Sequence, residues 1–328
     1  MAFLIVLVAV GVPLWSQESG LSKEDKIRIS EAFRLGDELG DGLWQNWSKA
    51  PFGLMLVADD YEYLLRHPHA THNFDTLKVD EVLKQKILYR KRLFDRNLKA
   101  TFPAINGIST IVVGLPSQTA VASSTDWIIM ILHEHFHQYQ QSQPDYYPSV
   151  NALGLSHGDQ TGDWMLNYPF PYDSAEVNTA FKALSQALLD ALESSVQNQP
   201  KYLKFFFGTL ERLRLLLSTD DFQYFSFQCW QEGVARYTEL RVAEEASTKF
   251  KPGAQLALLK DYRPFKEVSD SLRSRIVHDL ADPNLAWMRR GAFYPVGAGE
   301  ALLLDKVHPG WRKNYFMNKF HLEKYFSQ

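Results

Sequence analysis

One stretch constrains this chain more than any other: Ile128-Ile129-Met130-Ile131-Leu132-His133-Glu134-His135-Phe136-His137-Gln138-Tyr139-Gln140. An apolar run leads directly into polar residues, and no Gly or Pro interrupts it before Pro144. Ser123, Ser124 and Thr125 offer N-caps, and Asp126 suits a first helical turn. The pattern predicts a helix over 124–141. On a helix, residues four apart stand one turn above each other on the same face. His133 and His137 can therefore present two imidazole nitrogens to one metal ion, and Zn2+ takes such ligands readily. Glu134 sits one step round the helix, beside the metal without binding it. That is the place for a general base acting on water activated by the metal.

Two imidazoles do not complete a catalytic zinc site, which takes three protein ligands and an open position. Four residues compete for third place. Glu232 lies in Gln228-Cys229-Trp230-Gln231-Glu232-Gly233-Val234-Ala235-Arg236-Tyr237, where Gly233 and Ala235 would let a second helix approach the first closely. His157 and Asp163 are nearer in sequence, on a plausible cleft loop, and Cys229 shares a helix face with Glu232.

His133-Glu134-x-x-His137, followed downstream by a helical Glu-Gly-x-Ala-x-Tyr run, resembles the gluzincin group of zinc metallopeptidases. The resemblance implies a zincin-like fold, Zn2+, peptide-bond hydrolysis and a helical glutamate as third ligand, which would be Glu232. It rests on two short stretches. Ninety-four residues lie between His137 and Glu232, and Arg236 stands where thermolysin-like members carry an acidic residue one turn after the ligand. The metzincin pattern fails, because Gln140 and Gln143 occupy its Gly and His positions.

A tetrahedral intermediate at such a site calls for a hydrogen-bond donor facing its oxyanion. Tyr294 is the candidate, with His308 and Arg236 behind it. Gly297-x-Gly299 lacks the later glycine and the preceding strand of a dinucleotide fingerprint, so cofactor binding is discarded.

With 328 residues and 45% hydrophobic content the chain can bury a large core. Its net charge of -3 gives no electrostatic reason to expect nucleic acid as a partner. Phe3 to Val12 is apolar and followed by polar Ser16-Gln17-Glu18, which reads as a signal peptide over 1–16 and hence export to a periplasmic or extracellular space. That run is too short for a stable membrane span. Cys229 is the sole cysteine, which excludes an intrachain disulfide and a Cys-based zinc cluster.

Coarser patterning fills in the rest. Residues 21–50 carry a helical stripe, and 78–99 read as a basic amphipathic helix with a solvated Lys/Arg face. His67, His69 and His72 flank Pro68 and belong on a loop. Ile108–Leu115 reads as a strand and Thr119–Ala122 as a second short one, making a small sheet before the metal helix. An edge strand there could hold an extended peptide. Aromatic, Gly/Pro-punctuated residues 145–172 should cover or line the cleft. Helices are expected over 174–197, 201–218, 222–246, 261–280, 300–305 and 311–325.

The sequence thus points to a mostly helical α+β domain over 17–328, zincin-like, with a helical C-terminal half and room for two lobes meeting near 145–175. The function expected is that of an exported zinc metallopeptidase acting on a peptide or protein substrate. His133, His137 and Glu232 would hold the metal and Glu134 would be the base. Two other readings stay open: a zinc-stabilised binding protein or inactive peptidase homologue, and a non-peptidase zinc hydrolase.

Overall fold

Helix α2 (Ser124–Gln141) is the axis of the molecule, and its sequence explains where it starts. The Ser123 hydroxyl accepts from the Asp126 N–H at 3.1 Å, satisfying one of the free donors of the first turn. Every residue from Ser124 to Gln140 except Asp126 is buried, the polar ones included. Such burial is tolerated because the polar side chains find partners. Gln138 donates to the carbonyls of Gly53 and Ser109, each at 2.9 Å. His135 lies flat on Phe52 with ring centres 3.7 Å apart, and its other face stacks on Trp47. Burial pushes the His135 imidazole down to about 4, so it is neutral at physiological pH.

The computed structural model describes residues 20–69 and 72–327; the leader expected over 1–16 lies outside them. Helix α1 (Lys23–Leu43) precedes a six-stranded mixed sheet. Its strands are β1 (Leu54–Val57), β2 (Tyr61–Leu65), β3 (Asp75–Thr76), β4 (Leu88–Lys91), β5 (Lys99–Ile105) and β6 (Ile108–Gly114). The spatial order is β3-β4-β2-β1-β6-β5, with β1 parallel to β6 and the other pairs antiparallel. Side-chain alternation sorts the sheet into two faces. Leu54, Leu56, Ile111 and Val113 join the large core around α2, whereas Met55, Val57, Leu64 and Val112 join a second, smaller cluster.

That second cluster corrects one expectation. Residues 78–99 form turns and β4, not a helix. The Asp80 carboxylate accepts from the N–H groups of Val82 and Leu83, and Lys84 adopts a left-handed φ of 55°, a turn that stops helical propagation. The apolar residues of this region, among them Leu88, Phe94 and Leu98, cover the outer face of the sheet. Buried Glu62 holds the segment in place, pairing with Arg90 and accepting from the N–H groups of Leu93 and Phe94. Thr119–Ala122 is likewise not a strand; a 3-10 turn over Pro116–Gln118 leads into α2 instead.

After α2 come two short helices, α3 (Tyr146–Ala152) and α4 (Trp164–Asn167), then α5 (Ala175–Glu193) and α6 (Gln199–Leu216). The single helix expected over 222–246 is a three-part rod: α7 (Thr219–Gln228), a π-helical turn (Cys229–Gly233) and α8 (Val234–Lys249). Helices α9 (Ala254–Ala257), α10 (Phe265–Ala281), α11 (Leu285–Met288) and α12 (Phe293–Val307) follow. The closing segment is two 3-10 stretches, Trp311–Asn314 and Leu322–Ser327, instead of one helix. Trp311, Tyr315, Phe320 and Tyr325 are all buried, at spacings of four, five and five that no single helix face provides. One large core runs from Leu21 to Tyr325. No helix among the described residues is long and apolar enough to cross a membrane.

Candidate metal centre

Helix α8 and the π turn pack against α2, and this crossing brings His133, His137 and Glu232 together. The two Nε2 atoms lie 3.1 Å apart, and Glu232 Oε2 is 3.6 Å from that of His133 and 3.5 Å from that of His137. Metal–ligand bonds of about 2.0–2.2 Å at tetrahedral angles place ligand atoms about 3.3–3.6 Å apart. The three atoms are spaced closely enough to hold one metal ion between them.

Each imidazole is oriented from behind. Gln140 Oε1 lies 2.7 Å from His137 Nδ1, and Glu239 Oε1 lies 2.9 Å from His133 Nδ1. With His137 Nδ1 donating to Gln140, its Nε2 lone pair faces His133 and Glu232, whereas His133 Nδ1 meets Glu239 as a charge pair without an aligned hydrogen bond. Charge agrees. Burial opposes protonation of His133, yet the carboxylates of Glu239, Glu232 and Glu134 raise it to about 10. Burial likewise disfavours ionised Glu232, but the imidazoles of His137 and His133 hold its carboxyl well below the usual range. Carboxylates packed this closely around two imidazoles favour positive charge between them, and the three side chains could hold a metal ion.

The π turn has a structural logic of its own. Widening the helix leaves backbone carbonyls without their usual partners. Gln140 Nε2 donates to Gln231 O at 3.0 Å, and Tyr315 donates to Trp230 O at 2.8 Å. One amide thus orients His137 with its oxygen and pins the Glu232 turn with its nitrogen. The glycine expected to let this helix approach α2 does something else. A Cβ on Gly233 would stand 2.5 Å from Gly297 Cα, so Gly233 admits α12, and Gly297 in turn sits against the Cys229 carbonyl.

Glu134 is buried, and Thr101 Oγ1 lies 2.8 Å from its Oε2. Thr101 belongs to β5, the free edge of the sheet. Because Gly114 N–H bonds Leu98 O, alternate residues of β5 pair with β6, and those between face the open edge. The N–H groups of Lys99 and Thr101 therefore point away from the sheet beside the base, and Pro103, which lacks an N–H, takes the next outward position.

Tyr294 reaches the centre from α12. Burial and the adjacent Glu232 carboxylate raise its hydroxyl well above the ordinary value, which keeps it a donor, and Arg290 bonds its oxygen. Arg290 Nη1 also lies 3.8 Å from Glu232. Of the other candidates, His157 and Asp163 are exposed, and the Cys229 thiol faces Phe293 O at 3.7 Å. None of the three belongs to the ligand group. His308 lies against Phe326 O at 3.1 Å, and the loop histidines form no metal cluster among the described residues.

Four residues escaped sequence reasoning: Thr101, Gln140, Glu239 and Arg290. Glu239 had a signal, seven residues after Glu232 and so two turns along the same face. It occupies the orienting role for which Arg236, one turn after Glu232, has the wrong charge, and Arg236 instead pairs with Glu239 at 3.1 Å. Gln140 and Arg290 each lie within a helical turn of a named residue, His137 and Tyr294. Thr101 had no signal, since its strand was not anticipated. The chain matches no protein-family model, no curated protein and no solved structure.

Proposed function

We propose that this protein is a zinc-dependent peptide-bond hydrolase of gluzincin type, acting outside the cytoplasm. The observation that carries the reading is the triad of His133, His137 and Glu232, with donor atoms 3.1 to 3.6 Å apart, next to a glutamate that is not needed as a ligand. A bound Zn2+ would polarise a carbonyl and acidify water. Glu134 takes the proton of the attacking water and passes it to the departing amine. The Thr101 hydroxyl, shared between the carboxylate and the backbone carbonyl of Glu134, lies beside the base for both transfers. Tyr294 and Arg290, on the Glu232 side, are positioned to donate to the negative charge that develops on the carbonyl oxygen. The outward N–H groups of Lys99 and Thr101 support a peptide as substrate, whose carbonyls would accept from them while Gln141 holds the Thr101 carbonyl.

The test combines metal analysis with a broad peptide-library assay. Wild type should hold one zinc per chain and cleave peptides. His137→Ala should lose the zinc, Glu232→Gln should bind it far more weakly, and Glu134→Gln should keep it while losing turnover. Stoichiometric zinc in His137→Ala would refute the site. Full peptide cleavage by Glu134→Gln would refute the mechanism, and a zinc-loaded wild type that cleaves no library peptide would favour the binding-protein alternative.

A further inference from the structure

One cavity lies away from the triad. It opens at the C-terminal end of α2 with a volume of about 690 Å3. Lys49, Arg312 and Lys313 line it, and no aspartate or glutamate does, in a chain whose net charge is -3. Lys49 and Lys313 are exposed, and neither forms an ion pair among the described residues. Arg312 is held at the rim, donating to Leu43 O at 3.2 Å with Asp305 at 3.8 Å. The remaining wall includes Gln141, the amide of Gln143, whose nitrogen donates to Tyr139 O, and the aromatic ring of Phe316.

Gln141 connects this cavity to the metal centre. Its Nε2 donates to Thr101 O on the edge strand at 3.1 Å, and its Oε1 accepts from Ser109 at 2.6 Å. Thr101 in turn holds Glu134. Two side chains therefore span the distance from the cavity wall to the proposed base, along the strand edge where a substrate would lie.

We propose that the cavity binds a carboxylate-bearing stretch of peptide and makes the protein selective for acidic substrates. The link to selectivity in turnover rests on the peptidase reading; the binding itself does not. Cations carried by two separate segments, with no carboxylate in the wall itself and Asp41 and Asp305 set behind Lys49 and Arg312, suit carboxylates spread along a chain. The volume falls within the range of pockets that enclose a ligand, about 300–1,000 Å3.

The experiment uses the full chain carrying Glu134→Gln, so that nothing is cleaved. Three dye-labelled decapeptides are compared by fluorescence anisotropy: one with four glutamates and an amidated end, its glutamine counterpart, and that counterpart with a free C-terminal carboxylate. At least one carboxylate peptide should bind about tenfold more tightly than the neutral one, and which one does identifies side chain or chain end as the source. Its advantage should shrink between low and high salt. The double variant Lys49→Gln/Lys313→Gln, at exposed positions, should weaken it about fivefold. Equal binding of all three peptides, or an unchanged affinity in the double variant, would overturn the proposal. Acid-selective binding here, together with a zinc-loaded wild type that cleaves no library peptide, would leave it standing and refute the peptidase reading alone.

Discussion

A single methyl group at Gly297 should uncouple the metal turn from its support. An ideal Cβ there would lie 2.2 Å from the Cys229 carbonyl oxygen, 2.7 Å from its carbonyl carbon and 2.8 Å from its Cα. Ordinary contact begins near 3.4 Å, so α12 or the π turn must retreat by roughly 1 Å. The atoms struck are backbone, which cannot rotate away as a side chain can. Overpacking costs typically about 1–3 kcal/mol, and the upper end, about 3 kcal/mol, applies here. With an unfolding entropy of about 2.1 cal/mol/K per residue, a chain of this length has about 0.7 kcal/mol/K, so Gly297→Ala should lower Tm by about 4–5 °C. Because the displaced turn carries Glu232, zinc affinity should fall as well. Gly208→Ala is the control, an exposed helical site whose new Cβ meets nothing within 4 Å. Removing that glycine should stabilise the chain by about 0.5–1 kcal/mol. Calorimetry on the two variants decides the matter. A Gly297→Ala protein that melts with wild type and keeps wild-type zinc affinity would refute the account of the π turn as wedged by α12.

Further outcomes follow from other side chains. Thr101→Val removes the hydroxyl facing Glu134; a hydrogen bond to a charged group is worth about 1.5–3 kcal/mol, so kcat should drop at least about tenfold while zinc content, read by mass spectrometry, stays at wild-type level. Glu239→Gln should weaken zinc binding about 10- to 100-fold in a competition titration with a chelating dye, because the partner of His133 Nδ1 loses its charge; unchanged affinity would deny it an orienting role. Glu300, buried in α12, is held well above its ordinary value by burial and by the Glu323 carboxylate. A carboxyl raised in the folded state contributes its stability below the ordinary carboxyl range and loses it as pH climbs, so the Tm gain of Glu300→Gln over wild type should grow from pH 4 to pH 8. A pH-independent difference would argue against that ionisation.

The local sequence determined what depends on neighbours within a few turns. The composition and cap of 124–141 favour a helix, and the four-residue spacing of His133 and His137 puts both imidazoles on one face. Capping by Ser123 and the amphipathic spacing of α5, α6 and α10 are local in the same way. Tertiary structure decided the rest. Residues 78–99 carry apolar spacing compatible with a helix, but the exposed face of a sheet needed covering, and Glu62, about thirty residues away, fixed the segment as strand and turn. The local run pointed to Glu232 as the proposed third ligand, but its meeting with His137, 95 positions away, depended on a helix crossing, and the reason for the neighbouring glycine lay in α12. Thr101 shows the limit most plainly. A threonine in an unremarkable strand becomes the partner of the proposed base only because the strand order places β5 at the edge of the sheet and α2 beneath it, a long-range pairing whose free energy comes from the assembled core.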